Sequence, residues 1–129
     1  MMRQLSSAFL AFGLVTSAGV AFAKRTPPKP VPPIAANGIR YSVPHGSLMG
    51  FVVASDVLTD NEIWKRQIYV VKFNHQVEGD VQACFITDIK IDFGKLVVTN
   101  EIGSVYELDL GTLEVHPLKG SLVVQNFPK

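Results

Sequence analysis

Apolar and polar residues alternate along most of this chain with a period of two, the spacing that places one set of side chains on each face of a strand. Ile39, Tyr41 and Val43 alternate with Arg40 and Ser42. Phe51 to Ser55 and Ile63 to Phe73 read as the next two strands. In the second of these Val70 and Val71 are adjacent, which implies a bulge or burial on both faces. Val81 to Asp92 follows, with Val81, Ala83, Phe85, Ile89 and Ile91 on one face and Gln82, Cys84, Ile86, Asp88, Lys90 and Asp92 on the other. Leu96 to Thr99 and Val105 to Leu110 flank Asn100-Glu101-Ile102-Gly103, a four-residue connection suited to a type I turn closed by a left-handed glycine. Tyr106, Leu108 and Leu110 then share one face. Leu122 to Phe127 is the last strand. No segment keeps a helical period over three turns. The pattern predicts an all-β fold of about seven antiparallel strands, arranged as propeller-blade-like hairpins or as a small barrel or sandwich.

The stretch around which the others are arranged is Gly50 to Trp64, two apolar runs about a polar turn. A related pattern returns 53 positions later, where Gly103, Asp109 and Thr112 stand for Gly50, Asp56 and Thr59. Ala54, Asp56, Thr59 and Trp64 have the spacing Ala-x-Asp-x-x-Thr-x-x-x-x-Trp. This resembles the blade signature of the quinoprotein-like (pyrroloquinoline-quinone-type) β-propellers, best over residues 50–64 with a poorer copy at 103–117. Asp60 and Asn61 replace the Gly-Lys of that signature. In the second copy Glu107 stands for the alanine and Pro117 for the tryptophan. The resemblance implies that the Asp and Thr shape a turn between two strands and that the tryptophan packs between sheets. A propeller closes with about four to eight four-stranded blades, and seven strands make about two. No cofactor residue carries over, because those residues come from many blades of a ring.

The start of the chain has a different character. Arg3 precedes a charge-free apolar run from Ala8 to Val20, and Ala21-Phe22-Ala23 is a small-x-small site. These are the three parts of a secretory signal peptide over residues 1–23. The expectation is a periplasmic or secreted protein beginning at Lys24, with no stable transmembrane anchor after cleavage. Residues 24–36 read as a proline-rich extended arm, with five prolines among the ten residues Lys24 to Pro33. Residues 37–129 then form a single β domain.

Charge and cysteine content narrow the possible functions. From Ile34 onward the chain holds 8 basic and 11 acidic residues, which argues against nucleic acid as a partner, since that needs a basic footprint. Cys84 is the one cysteine, so it is either buried or paired with another molecule. The histidines His45, His75 and His116 show no zinc spacing. His75, Glu78 and Asp80 lie in one polar loop, whose composition suits solubility as well as metal binding. Ser42, Ser47, Ser55, Ser104 and Ser121 sit in no nucleophile-elbow turn. Asp88 and Asp92 share a strand face with Lys90 between them, a charge-balanced solvated face. The chain is therefore read as non-enzymatic, with no catalytic, cofactor or metal residues. It is an exported binding or scaffolding module of the cell envelope, partnered by another envelope protein or by itself. The alternatives are a closed-barrel carrier with a pocket lined by Phe51, Tyr69, Phe85 and Tyr106, or a hydrolase built on the histidines.

Overall fold

The computed structural model describes residues 29–44, 49–74 and 82–125; the signal-peptide stretch 1–23 and the first part of the arm lie outside them. The described elements are strands. Ile34–Ala36 (β1), Ile39–Ser42 (β2), Phe51–Asp56 (β3) and Glu62–Gln67 (β4) form an antiparallel sheet in the order β1-β2-β3-β4. Val70–Val71 (β5) leads away from it. Ile86–Asp92 (β6), Lys95–Asn100 (β7), Val105–Asp109 (β8) and Val115–Lys119 (β9) form a second antiparallel sheet in the order β6-β7-β8-β9. Val123–Val124 (β10) returns to pair in parallel with β5. The all-β class stands, with open sheets of four strands.

Both sheets begin with a two-residue hairpin. Asn37-Gly38 links β1 to β2 with φ of 54° and 79°, and Phe93-Gly94 links β6 to β7 with φ of 47° and 77°. Two successive positive φ angles give the turn whose twist matches that of the flanking strands. Both sheets also end on the same larger turn. Asp56 Oδ1 accepts the N–H groups of Leu58 at 2.8 Å and Thr59 at 3.1 Å, and Thr59 Oγ1 accepts that of Asn61 at 3.3 Å. In the second sheet Asp109 Oδ1 accepts Gly111 at 2.8 Å and Thr112 at 3.1 Å, and Thr112 Oγ1 accepts Glu114 at 3.3 Å. Each turn then closes through a left-handed residue, Asp60 at φ 64° and Leu113 at φ 65°. The neighbouring hairpin is tied in as well. Val57 donates to the Gly38 carbonyl at 3.0 Å and Leu110 to that of Gly94 at 3.1 Å. The 53-residue echo is thus a repeat of backbone geometry. It extends to the parallel pair, where Val70 opposes Val123 and Val71 opposes Val124.

The two sheets share one core. Tyr41, Val52 and Ala54 of the first sheet join Ile86, Ile89, Leu96, Val98, Tyr106 and Leu108 of the second, together with Ile68, Tyr69, Cys84 and Val124. Ala54 is fully buried and opposes Tyr41 on one side and Trp64 on the other. Its small side chain leaves room for those rings to meet across it, with centroids 6.0 Å apart and planes tilted 44°. Asp88, Lys90 and Asp92 are all exposed, and Lys95 pairs with Glu107 at 3.4 Å on the outer surface. This agrees with a charge-balanced solvated face.

The strands differ from the sequence reading at four places. β1 lies at the end of the stretch read as an arm, because Ile34 and Ala36 find partners in Tyr41 and Ile39. The strand expected over Ile63 to Phe73 stops at Gln67. Ile68 and Tyr69 turn into the core, 2% and 1% exposed, before Val70 emerges. The strand expected over Val81 to Asp92 begins at Ile86, and a register shift at Ile86/Asp88 puts Ile86 and Ile89 on the same buried side. β9 went unread because Pro117 and an almost wholly exposed pattern hide it, and an edge strand tolerates both. Of the last expected strand, Leu122 to Phe127, residues 122–125 are described and Val123–Val124 form a strand.

Core and surface should respond very differently to truncation. Leu108→Ala, in a fully buried position, is expected to cost about 2–5 kcal/mol. Lys90→Ala on the outer face should change stability by less than about 0.5 kcal/mol. Urea unfolding of both variants checks this.

Candidate functional site

The densest chemistry lies at the seam between the two sheets. After β4 the chain dips inward, and Tyr69 stacks on Tyr106 with ring centroids 5.3 Å apart and an interplanar angle of 15°. Both rings are buried, 1% and 0% exposed. A buried phenol needs an acceptor. Tyr69 donates to the Cys84 carbonyl at 2.6 Å, and Tyr106 donates to the Ser121 carbonyl. Burial pushes both phenols up, Tyr69 well above its ordinary range, and the neighbouring Cys84 adds to the effect on Tyr69. Gly50 is required beside them. Its φ is 79°, and a Cβ there would sit 2.5 Å from the Tyr69 carbonyl oxygen.

Around this stack lies a polar collar. Asn100 accepts the N–H groups of Ile102 and Ser104 through Oδ1, at 3.2 and 3.0 Å. Glu101 accepts the Phe85 N–H at 2.8 Å. The Gln82 amide closes on the Asn74 backbone in both directions, at 2.5 and 3.0 Å. The Asn100 contacts close the β7–β8 connection, and those of Glu101 and Gln82 hold the described ends of the segment that joins the sheets.

Outside the stack a cleft of about 210 Å³ opens between the end of β4, β5, β9 and the approach to β10. Arg66, Tyr69, Val70, Val115 and Leu122 line it. Arg66 is half-buried. Its Nε donates to the Leu113 carbonyl at 3.0 Å and its Nη1 to that of Gln67 at 2.7 Å.

The residues singled out from the sequence scatter. Cys84 is free and fully buried, and burial pushes its thiol up; it sits before β6 rather than on the polar face of a strand. His116 is on the exposed edge strand, 3.7 Å from the Glu114 carboxylate. Ser104 is buried and Ser121 is exposed. His45, Ser47, His75, Glu78 and Asp80 lie outside the described residues. Among the described residues no group of three His, Cys, Asp or Glu side chains is placed to hold a metal ion. The closed barrel is corrected. Of its four lining aromatics, Tyr69 and Tyr106 fill the seam by stacking on each other, Phe51 and Phe85 are only half-buried, and the sheets stay open. Arg66 and the cleft were missed by sequence reasoning; an arginine in a strand signals nothing until its neighbours from β9 and β10 are in place. Comparison with protein-family models and with curated proteins found no match to the chain. Among the described residues no helix is long and apolar enough to cross a membrane.

Two pH responses follow. Backbone N–H donors, Thr59 then Leu58 for Asp56 and Gly111 then Thr112 for Asp109, hold both carboxyls below the usual range. That stabilisation is present above the unfolded value of about 3.9 and is lost as pH falls through the lower folded values. The double variant Asp56→Asn/Asp109→Asn should flatten this acid limb in thermal melts. Cys84, Tyr69 and Tyr106 are raised instead, so their contribution is present below the unfolded values of about 8.5 and 10 and is lost as pH rises through the folded ones. In the native state near neutral pH the Cys84 thiol should resist an aromatic disulfide reagent until denaturant is added, and reductant should leave the solution mass unchanged.

Proposed function

We propose that this protein is an exported, non-catalytic binding or scaffolding module of the cell envelope, and that Phe93 is its principal anchor for a partner protein. Phe93 is 98% exposed, at the tip of the β6–β7 hairpin, with φ of 47°. A bulky side chain in the left-handed region is strained. Leu113 has a similar φ but packs against the core. Phe93 buries nothing in return. The matching hairpin in the first sheet carries Asn37, a residue that tolerates this conformation. An exposed aromatic held in a costly conformation supports a binding role, since aromatic residues are enriched where partners meet. Leu58, 93% exposed on the Asp56 turn, is a second apolar tip.

The signal-peptide pattern of residues 1–23 supports export, and the charge balance argues against nucleic acid. The paired Asp–Thr turns and the Tyr41–Ala54–Trp64 contact support kinship with quinoprotein-like blades. In that reading the chain is a two-blade unit that seats on a partner.

The test is Phe93→Asn. It should raise stability by about 1 kcal/mol, because it relieves the turn, and abolish capture of the partner recovered from envelope extract by the unsubstituted chain. Capture of the same partner at undiminished yield by Phe93→Asn sinks the assignment of the anchor. Export is checked separately by the mass of the chain recovered outside the cytoplasm, expected to begin near Lys24.

A further inference from the structure

The geometry points to the seam cleft as a binding site for a small aliphatic monocarboxylate, with Arg66 holding the carboxylate and Val70, Val115 and Leu122 holding the tail. Arg66 is a half-buried cation whose two hydrogen bonds go to neutral carbonyls, those of Leu113 and Gln67. Among the described residues it has no carboxylate partner. The ion pairs there are Arg40–Asp60, Lys95–Glu107 and Glu114–His116. A cation drawn out of water is ordinarily compensated by an anion. Those two bonds fix the guanidinium in place and leave Nη2 and the second proton of Nη1 without an acceptor among the described residues. A pair of parallel donors on a planar group suits the two oxygens of a carboxylate.

Gln67 adds a second polar group beside Arg66, and the far side of the lining is apolar and wet. Val70 is 46% and Leu122 42% exposed, and Val115 borders them in the same cleft. Lining of this kind with one placed cation favours a ligand with an apolar tail and one anionic head. The volume of about 210 Å³ is below the roughly 300–1,000 Å³ of sites for drug-sized molecules, so the tail is short. Lys119 stands at the position matching Arg66 one repeat later and is exposed at the chain's outer edge. The site therefore forms once, where β4 of one sheet meets the Leu113 turn of the other.

This inference rests on reading the chain as a binding module, and the two fail separately, because Phe93 lines no part of the cleft. The test is a titration of the purified full chain with hexanoate, followed through the methyl resonances of Val70, Val115 and Leu122. Saturable shifts are expected for hexanoate. 1-Hexanol and hexylamine should bind about tenfold more weakly or not at all. Arg66→Gln, which keeps a donor for the Leu113 carbonyl, should weaken hexanoate binding about tenfold. Arg66→Lys should keep part of it. Val70→Asp, at a position exposed enough to leave folding intact, should abolish it by placing a hydrated charge against the aliphatic tail. Equal binding of hexanol and hexanoate, or hexanoate binding unchanged in Arg66→Gln, would overturn the proposal, as would the absence of shifts at the highest concentration reached. If Arg66→Gln fails to fold, Arg66→Lys and Val70→Asp decide alone.

Discussion

The structure depends first on the stacked pair Tyr69 and Tyr106. Each ring comes from a different half of the chain, and each phenol is satisfied by a carbonyl from a third segment, Cys84 or Ser121. Removing the Tyr69 hydroxyl would leave the buried Cys84 carbonyl without its donor, a penalty of about 1–3 kcal/mol. The stack also sets what surrounds it. The chain must leave the first sheet at Gln67 for Tyr69 to reach inward. Gly50 must lack a side chain for the Tyr69 backbone to pass, and β5 then emerges where β10 can meet it. The seam cleft exists because this inward step leaves Arg66 at its rim.

The two halves share a backbone more closely than they share side chains. Both build a two-residue hairpin, an Asp–Thr turn and a left-handed closing residue, with matching hydrogen bonds. The two halves differ where the side chains depart from the shared plan. Asn37 suits its turn, while Phe93 strains the equivalent one and stands in solvent. Asp60 takes an ion pair from Arg40 at 2.6 Å, while Leu113 at the matching position packs inward and offers its carbonyl to Arg66. A repeat supplies the frame cheaply, since each local choice needs to work only once, and the departures confer an individual character on each half.

Local chemistry was legible in the sequence. Asp56 and Asp109, each three residues before a threonine, announce a turn that closes on its own side chains, whatever the rest of the fold does. The alternation of Val105 to Asp109 and the Gly103 connection likewise describe structure built within a few residues. Edge strands were harder to read. β9 has little apolar periodicity because only Val115 of its five residues is even half-buried, so burial left almost no trace in its composition. β1 was masked by the prolines immediately before it.

Whatever depends on residues far apart in the chain was decided by the tertiary structure. The sequence by itself determined the all-β class, the repeated turns and the charge-balanced outer face, because these follow from period, turn chemistry and hydration acting locally. It placed Cys84 on a strand face and gathered Phe51, Tyr69, Phe85 and Tyr106 around a pocket. Packing instead buried the cysteine at the seam and pressed two of the tyrosines together. The exposure of Phe93 and the place of Arg66, without a carboxylate partner among the described residues, are likewise facts of packing. Both depend on which surfaces the second sheet covers and which it leaves to water, and no local pattern encodes that division.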